Sequence, residues 1–228
     1  MRARSLHPWD LCCQEAIALQ QQLRERLILD DRSFPSSLQT IAGADVSYAR
    51  GSDRFFAAVV VLAYPSLELL EEASAEDRSS FPYVPGLLSF REGPVVLKAF
   101  RRLRRNPDAV LFDGQGIAHP RGFGLASHLG LFLDLPAIGC AKTRLYGIHG
   151  EVGMETGNRA DLLADGAIVG TALRTRDRVK PVYVSQGHRI GLEKAVEIIL
   201  SCCRGYRLPE PVRQAHRAVN RIRVAAGE

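Results

Sequence analysis

Three acidic residues lie within or beside apolar segments, where a carboxylate is costly to desolvate unless something pairs with it. Asp45 lies in IAGADVSYA, Glu92 in SFREGP and Asp113 in AVLFDGQG. Carboxylate oxygens are the ligands that Mg²⁺ prefers. Bound beside a phosphodiester, such an ion can supply a hydroxide nucleophile or neutralise a leaving oxygen. The three acids therefore predict one or two divalent cations, although each alone could be a strand-end acid bonded to the backbone.

Basic and imidazole side chains suited to a phosphate follow these acids. Lys142, in GCAKTRLYG, comes after a buried apolar run and could offset charge on the attacking or leaving oxygen, unless it is a surface lysine. His119 and Arg121, in GIAHPRGFG, suit a phosphate clamp, or else turn and cap hydrogen bonds. His216, in PVRQAHRAVNR, is a fourth candidate ligand or base, although a lone helical histidine more often lies at the surface or in the core.

The charge distribution favours a polyanionic partner more than the net charge does. The chain has 30 Lys and Arg against 25 Asp and Glu, a formal charge of +5, which excludes a histone-like polycation. Three separate basic clusters could follow a nucleic-acid backbone, although any one of them could be a solvated face. They are Lys98, Arg101, Arg102, Arg104 and Arg105; then Arg174, Arg176, Arg178 and Lys180; and last Arg213, Arg217, Arg221 and Arg223.

The predicted elements of the first half bring two of the acids together. Helical spacing predicts a helix over 10–29 with Asp10 as its cap, and turn residues separate strands over 40–49, 55–64 and 67–75. A helix over 94–104 and a short buried strand over 109–112 follow. Because Asp45 lies in the first strand and Asp113 ends the last, pairing of these strands would bring both acids together.

The second half continues the same alternation of helices and strands. Periodicity predicts a mixed sheet flanked by helices, in one α/β domain covering residues 1–228. The expected elements are helices over 124–133, 192–200 and 209–223, and strands over 136–140, 148–152, 167–171 and 179–185.

Nothing in the composition suggests a membrane or an oxidising compartment. The longest apolar run, 55–63, is far shorter than the roughly 18 residues of a membrane span, and we find no signal peptide. The five cysteines include no CxxC, so we interpret them as small buried side chains, with a zinc site as the alternative. We expect a cytoplasmic protein that does not bind a membrane.

Five segments together resemble the endonuclease V family of deoxyinosine-specific repair nucleases, in the right order and over nearly the whole chain. They are GADVSY, FPYVPGLLSFREGP, DGQGIAHPRGFGLASHLG, GCAKTRLYG and RLPEPVRQAH. The resemblance implies an RNase H-like fold, a five-stranded mixed sheet with helices on both faces and peripheral additions. It also implies Mg²⁺-dependent hydrolysis, with Mn²⁺ as a substitute, of the second phosphodiester bond 3′ to deoxyinosine. The product would be a nick with 3′-hydroxyl and 5′-phosphate ends.

The resemblance also assigns roles to the chemical residues. Asp45, Glu92 and Asp113 take the metal-ligand positions, Lys142 takes the catalytic lysine position and His216 takes a fourth, metal-proximal position. The loop Pro82-Tyr83-Val84-Pro85 matches the wedge of the family. A rigid loop with an aromatic ring can enter a duplex and fill the gap left by an extruded base, although FPYVPG without the resemblance favours a stiff surface turn.

The lesion pocket implied by the resemblance consists of Gly114, Gln115 and Gly116 together with the segment that contains Leu145 and Gly147. Such a pocket must read a base with a 6-oxo acceptor and an N1–H donor but no 2-amino group, and glycines let the main chain approach it closely.

Two other functions stay open from the sequence. An inosine-directed ribonuclease would use the same chemistry on a ribose substrate, and the sequence shows no group that recognises a 2′-hydroxyl. A non-catalytic binder of damaged nucleic acid would keep the basic clusters and the wedge, but the three acids and Lys142 argue against it. We expect a monomer that binds deoxyinosine-containing DNA.

Overall fold

The computed structural model describes residues 1, 3–49 and 51–228. Along the described chain, helices and strands alternate in the order α1 Cys13–Arg24, β1 Thr40–Ser47, β2 Arg54–Ala63, β3 Leu69–Arg78, α2 Leu88–Arg102, β4 Ala109–Phe112, α3 Leu125–Leu133, β5 Ala137–Ala141, β6 Arg159–Ala164, β7 Ala167–Leu173, β8 Val182–His188, α4 Leu192–Ser201 and α5 Glu210–Ala225.

All the strands belong to one mixed sheet, in the order β3-β2-β1-β4-β5-β8-β7-β6. The central strands β1, β4 and β5 run parallel to one another, and the remaining neighbours pair antiparallel. Parallel strands point their carboxyl ends to the same edge. That edge receives the residues after β1 and β4, which include the predicted acids.

Helices cover both faces of the sheet, and the alternation of side chains along β2 shows how. Phe56 and Val60 join the core cluster that includes α4 and α5, whereas Phe55 and Val59 join the cluster that includes α2 and α3. Strands buried on both faces carry continuous apolar runs, as 55–63 does. The α/β architecture with helices on both faces confirms the prediction from the sequence.

A close backbone approach places α5 over β1. A Cβ atom at Gly43 would lie 2.0 Å from the carbonyl oxygen of Pro211, which is closer than any side chain allows. Gly43 and Asp45 point to the same face, since they are two residues apart on a strand. The first turns of α5 therefore lie directly above the part of β1 that carries Asp45.

The sheet is larger than expected from the family resemblance. It has eight strands rather than five, because β3 and the β6–β7 hairpin extend its two edges. The strand predicted over 148–152 is wrong, since only Ile148 forms a bridge there, to Leu163. The edge strand is instead β6, which the sequence did not predict because its RADLLA segment carries charged residues typical of an exposed edge.

Two helix boundaries also differ from the predictions. α2 begins at Leu88 rather than at residue 94, and it contains Pro94, so Glu92 lies inside the helix instead of at its start. A proline within a helix removes one backbone hydrogen bond, which neighbouring contacts can offset. α1 is shorter than predicted: Cys12, not Asp10, is its cap, and the Cys12 N–H donates to Glu15 Oε2 at 2.7 Å.

Within the described residues, no helix is long and apolar enough to cross a membrane. Cys140 and Cys202 are buried, in line with the sequence interpretation, whereas Cys12 is exposed.

Candidate active site

Two carboxylates meet where the parallel strands β1 and β4 end. The register pairs Ala44 with Phe112, so the next residues along each strand are Asp45 and Asp113. The Asp113 N–H continues the ladder by donating to Ala44 O at 3.4 Å. The adjacency predicted from the sequence is confirmed, and it follows from parallel pairing alone.

His216 completes a compact group with these two acids. Its Nδ1 lies 2.7 Å from Asp45 Oδ2, and the amide of Asn220 lies 3.1 Å from its Nε2. The Asn220 amide also donates to His216 O at 2.9 Å, which fixes it as the donor to Nε2. Because Nε2 accepts from Asn220, the His216 Nδ1–H donates to Asp45 Oδ2.

The ligand atoms of Asp45, Asp113 and His216 lie within 4.8 Å of one another, close enough to share one cation. Burial, followed by repulsion from Asp113, raises the pKa of Asp45, while the His216 hydrogen bond acts in the opposite direction. A bound cation would relieve this repulsion, and carboxylate oxygens are ligands that suit Mg²⁺ or Mn²⁺. The residues present therefore fit a divalent metal.

Glu92 lies near this group but outside the compact set. It is 8% exposed, and burial together with repulsion from Asp45 and Asp113 raises its pKa to about 8. The sequence named Asp45, Glu92 and Asp113 as the ligands; in the structure, His216 rather than Glu92 joins the two aspartates. A metal contact by Glu92 stays a prediction, and its position on α2 places it across the site from α5.

Lys142 lies directly after β5 and forms an ion pair with Asp113. Two side chains hold the main chain around it: Arg207 Nη2 donates to Lys142 O at 2.5 Å, and Gln115 Nε2 donates to Thr143 O at 2.9 Å. Arg207 also donates to Pro181 O at 2.8 Å, so it joins the Lys142 segment to β8. Arg207 was not predicted from the sequence, because its role depends on contacts 65 residues apart.

A cavity of about 420 Å³ opens beside Asp113 and Lys142. Its wall includes predicted residues from the wedge loop, the DGQG turn and the segment after Lys142. The lining residues are Tyr83, Val84, Pro85, Gly86, Leu88, Ser89, Asp113, Gly114, Gln115, His119, Gly124, Leu125, Ala141, Lys142, Thr143, Arg144 and Leu145. The lining thus joins one of the two paired acids, Asp113, to three residues of the wedge loop, Tyr83, Val84 and Pro85.

Two predicted pocket glycines lie outside this lining and serve packing instead. A Cβ atom at Gly116 would lie 2.0 Å from Gln186 O, so its backbone is pressed against β8. Gly147 has a φ of +84°, and a Cβ atom there would crowd the Leu163 carbonyl at 3.0 Å. Gly114 and Leu145 do line the cavity, as predicted.

The predicted wedge loop projects an aromatic ring from a fixed base. Tyr83 is 66% exposed, whereas Phe81 is buried and its carbonyl accepts a hydrogen bond from Arg91 Nη1 at 2.7 Å. At the other end of the loop, Gly86 has a φ of +82°, a conformation that side chains rarely adopt. The loop is therefore anchored at both ends and exposed in the middle.

Three side chains converge on the carbonyl oxygen of Gly86. Gln20 Nε2 lies 2.9 Å from it, Arg121 Nη2 2.7 Å and His119 Nε2 2.9 Å. Arg121 Nε also donates to Gln20 Oε1 at 2.5 Å, which ties two of the donors together. We call Gln20, His119, Arg121 and Gly86 the Gly86 anchor.

The anchor changes the interpretation of His119 and Arg121. The sequence predicted a phosphate clamp, but both side chains bond to the main chain of the wedge loop. Burial, followed by repulsion from Arg121, lowers the pKa of His119 to about 4, so the imidazole is neutral near pH 7. The geometry favours the alternative role of turn hydrogen bonding, because His119 is only 3% exposed.

The basic clusters are partly neutralised by internal contacts. Arg174 is 7% exposed and its Nε donates to Gly153 O at 2.8 Å, so it is a structural residue. Arg213 pairs with Glu210 at 2.7 Å and Arg221 with Glu72 at 2.6 Å. These clusters therefore offer less free positive charge to a polyanion than the sequence suggests.

Known proteins similar to this chain identify its family. The model of the endonuclease V family matches residues 21–217. The endonuclease V of Gloeobacter violaceus is 51% identical over 224 residues, covering 97% of this chain and 90% of the relative. The crystal structure of the endonuclease V from Streptomyces avermitilis superimposes with a TM-score of 0.92 at 43% identity, covering 100% of both chains.

A more distant structure carries nucleic acid. The endonuclease V of Ciona intestinalis, 28% identical with a TM-score of 0.84, was solved with a 24mer DNA containing an inosine followed by a ribo-adenosine. It covers 94% of this chain and 98% of the Ciona chain. With matches of this identity and coverage, the chain belongs to the endonuclease V family and is a nuclease of the deoxyribonuclease V type.

Proposed function

We propose that the protein is a metal-dependent DNA repair endonuclease that hydrolyses the second phosphodiester bond 3′ to deoxyinosine. The nick has 3′-hydroxyl and 5′-phosphate ends, and one domain over residues 1–228 acts as a monomer. The observation that carries the proposal is the convergence of Asp45, Asp113 and His216 within 4.8 Å, beside a cavity framed by the exposed ring of Tyr83. The inosine-containing complex of the Ciona relative supports the substrate.

The three acids would hold the metal, and the histidine would orient one of them. Asp45, Asp113 and Glu92 are the proposed ligands of Mg²⁺, with Mn²⁺ as a substitute, and His216 takes a metal-proximal position beside Asp45. A divalent ion there supplies charge neutralisation at the phosphate and a water of lowered pKa. His216 holds Asp45 through its Nδ1 proton, and Asn220 fixes that tautomer from the other side of the ring.

Lys142 offsets negative charge on the phosphate that undergoes hydrolysis. Its ion pair with Asp113 keeps the ammonium group beside the proposed ligands, while Arg207 and Gln115 fix the backbone that carries it. A cation held in place before the reaction needs no reorganisation as charge develops.

The cavity and the wedge loop act on the damaged base. Tyr83 enters the duplex and fills the gap, and the extruded base occupies the cavity lined by Gly114, Gln115 and Leu145. The volume of about 420 Å³ accommodates a nucleobase. Weak pairing of inosine lowers the cost of extrusion, so selectivity begins with that step.

A strand-specific nicking assay tests the proposal. One duplex carries deoxyinosine in a labelled strand and a matched duplex carries adenine at that position. With Mg²⁺ or Mn²⁺ we expect a nick at the second phosphodiester bond 3′ to deoxyinosine. With a chelator we expect no nick. Cleavage that persists in chelator would refute the metal, and a cut elsewhere would refute the stated bond.

A second substrate follows from the ribo-adenosine beside the inosine in the Ciona complex. The same site could cut inosine-containing RNA, since hydrolysis at the phosphate does not require deoxyribose. Matched single strands of DNA and RNA, each with one inosine, separate the two activities. Faster cleavage of the RNA would make the protein an inosine-directed ribonuclease, and lesion binding without cleavage of either strand would identify a non-catalytic binder.

A further inference from the structure

A chain of hydrogen bonds runs from the N-terminal segment to the wall of the cavity. His7 Nδ1 lies 2.7 Å from Pro8 O, and His7 Nε2 lies 2.7 Å from His128 Nε2. His128 Nδ1 in turn lies 2.8 Å from Ser89 Oγ. We call His7, His128 and Ser89 the histidine relay. None of these residues has a role in the proposed metal chemistry.

The relay has one arrangement of protons when both rings are neutral. A carbonyl oxygen only accepts, so His7 carries its proton on Nδ1 and leaves Nε2 as an acceptor. His128 must then donate from Nε2, which makes its Nδ1 an acceptor. Ser89 Oγ consequently donates its only proton to His128. The direction of every bond follows from the carbonyl at Pro8.

The surroundings keep both rings neutral. His128 is 0% exposed, and it packs against the rings of Trp9, Phe90 and Phe132. Burial, followed by the neighbouring His7, lowers the pKa of His128 well below its usual value. Burial also lowers the pKa of His7, despite its bond to Pro8 O. A charged relay, which would reverse its bonds, is therefore disfavoured near pH 7.

Ser89 lies in the first turn of α2, is 2% exposed and lines the cavity. Since its proton is committed to His128, its oxygen offers only lone pairs to a bound base. Gln115 also offers an acceptor. Its Nε2 donates to Thr143 O, and its buried Oε1 has no hydrogen-bond partner among the described residues. The cavity wall therefore offers two hydrogen-bond acceptors, Ser89 Oγ and Gln115 Oε1, to a donor on a bound base.

We infer that Ser89, oriented by His128 and His7, is a specificity residue that accepts a hydrogen bond from the ring N–H of a deaminated purine. This inference rests on the proposed function. Hypoxanthine carries a proton on N1, whereas adenine has a lone pair there that would face the Ser89 lone pairs. Guanine also carries N1–H, so the contact separates hypoxanthine from adenine and leaves guanine to be rejected by other contacts.

Binding of three single strands tests the inference without requiring cleavage. The strands are identical except for deoxyinosine, deoxyadenosine or deoxyguanosine at one position, and dissociation constants are measured in chelator. We expect Ser89→Ala to reduce the preference for deoxyinosine over deoxyadenosine by about tenfold, the usual size of one hydrogen bond. The preference over deoxyguanosine should not change. Ser89→Thr, which keeps the hydroxyl, should retain both preferences.

A variant remote from the cavity tests the relay itself. His7→Phe removes the acceptor for His128 Nε2 and lets the His128 ring take either tautomer. The preference for deoxyinosine over deoxyadenosine should therefore fall, but by less than in Ser89→Ala. Nitrogen NMR of the wild-type imidazoles should show His7 protonated on Nδ1 and His128 on Nε2. Protonation of His128 on Nδ1 would overturn the inference, whatever the binding shows.

The outcomes separate the two proposals. Equal weakening of all three strands by Ser89→Ala, or an unchanged preference for deoxyinosine over deoxyadenosine, would overturn the specificity role. A wild-type protein with no preference for deoxyinosine would instead refute the proposed substrate.

Discussion

The three acids Asp45, Glu92 and Asp113, here called the acid cluster, and the Gly86 anchor each contribute residues to the lining of the same cavity, and they differ in how their polar groups are satisfied. At the acid cluster, Asp45, Glu92 and Asp113 repel one another, and burial and repulsion raise the pKa of the first two. At the anchor, three donors share one carbonyl oxygen, that of Gly86. One region needs an added cation, whereas the other is complete within the protein.

This difference indicates how the site divides its work. A group of repelling carboxylates lowers stability and is retained for binding a metal, as strained functional sites often are. A converging set of donors fixes the base of the wedge loop before any substrate arrives, which reduces the ordering cost of binding. The cleavage rate should therefore depend on the acid cluster, and the free energy of unfolding mainly on the Gly86 anchor.

Asp113→Asn tests the acid cluster and should have the largest effect. The change keeps the shape of the side chain but removes a ligand charge and the ion pair with Lys142, so nicking should slow by about 10³-fold or more. Binding of deoxyinosine DNA should persist, because the cavity and the wedge loop are intact. Single-turnover nicking rates and dissociation constants measure the two effects, and Asp161→Asn, an exposed acid on β6, is the control.

Near-wild-type nicking by Asp113→Asn would contradict its role as a ligand. In addition, Mg²⁺ should raise the unfolding temperature of the wild type more than that of the variant, since a ligand that binds only the folded state stabilises it. Equal shifts in both proteins would place the metal elsewhere.

Acidification tests two buried histidines, His119 of the Gly86 anchor and His188 at the end of β8. Burial is the main cause that lowers the pKa of His119 and of His188 to about 4, below the value of 6.5 expected in the unfolded chain. Below about pH 6.5 the unfolded chain binds more protons, so the free energy of unfolding falls as the pH decreases toward about 4. We expect a loss of about 2–4 kcal/mol between pH 7 and pH 5.

Glu92 and Asp45 act in the opposite direction, because their raised pKa values, about 8 for Glu92, favour the folded state at low pH. The measurement is therefore made by urea unfolding in the Glu92→Gln, Asp45→Asn background, in the absence of metal. A free energy of unfolding that stays constant from pH 7 to pH 5 would show that these histidines are not buried as neutral rings.

Gln20→Ala tests the Gly86 anchor directly. Gln20 is 0% exposed and also donates to Phe123 O at 3.0 Å, so its loss leaves buried polar groups without partners. We expect the free energy of unfolding to fall by about 2–3 kcal/mol. Lesion binding should weaken while the cleavage rate of bound substrate changes little. A matched control is Gln22→Ala on the same helix, which lies at an exposed position. Equal losses in both variants would contradict the anchor.

The sequence predicted the positions of some site residues and not of others. Asp45 and Asp113 could be placed together because strand order and parallel pairing determine their neighbourhood. Gln20 and Ser89 could not, since their partners lie 66 and 39 residues away and no periodicity encodes such contacts. His216 was only one of several candidates in the sequence, because its position beside Asp45 depends on the close approach of α5 to Gly43.

Local patterns misled where tertiary contacts override them. The Gly-Pro pair at 93–94 resembles a helix start, yet α2 runs through it, because Gly93 packs against the Trp9 ring. His119 and Arg121 have the chemistry of a phosphate clamp, but the fold directs them to Gly86. For His119 and Arg121, the residue type indicated the capacity to donate hydrogen bonds but did not identify the partner.

Tyr83→Ala should have the smallest effect on the protein and a selective effect on substrate. The ring is 66% exposed, so its removal should leave the free energy of unfolding unchanged. Lesion binding should weaken by about tenfold, since stacking of one aromatic ring on a base contributes about 1–3 kcal/mol. Dissociation constants for a deoxyinosine duplex measure this, and Tyr83→Phe, which keeps the ring, should bind as the wild type does. Because the Gly86 anchor is intact in Tyr83→Ala, a fall in stability equal to that of Gln20→Ala would show that the exposed ring and its anchored base are not separable.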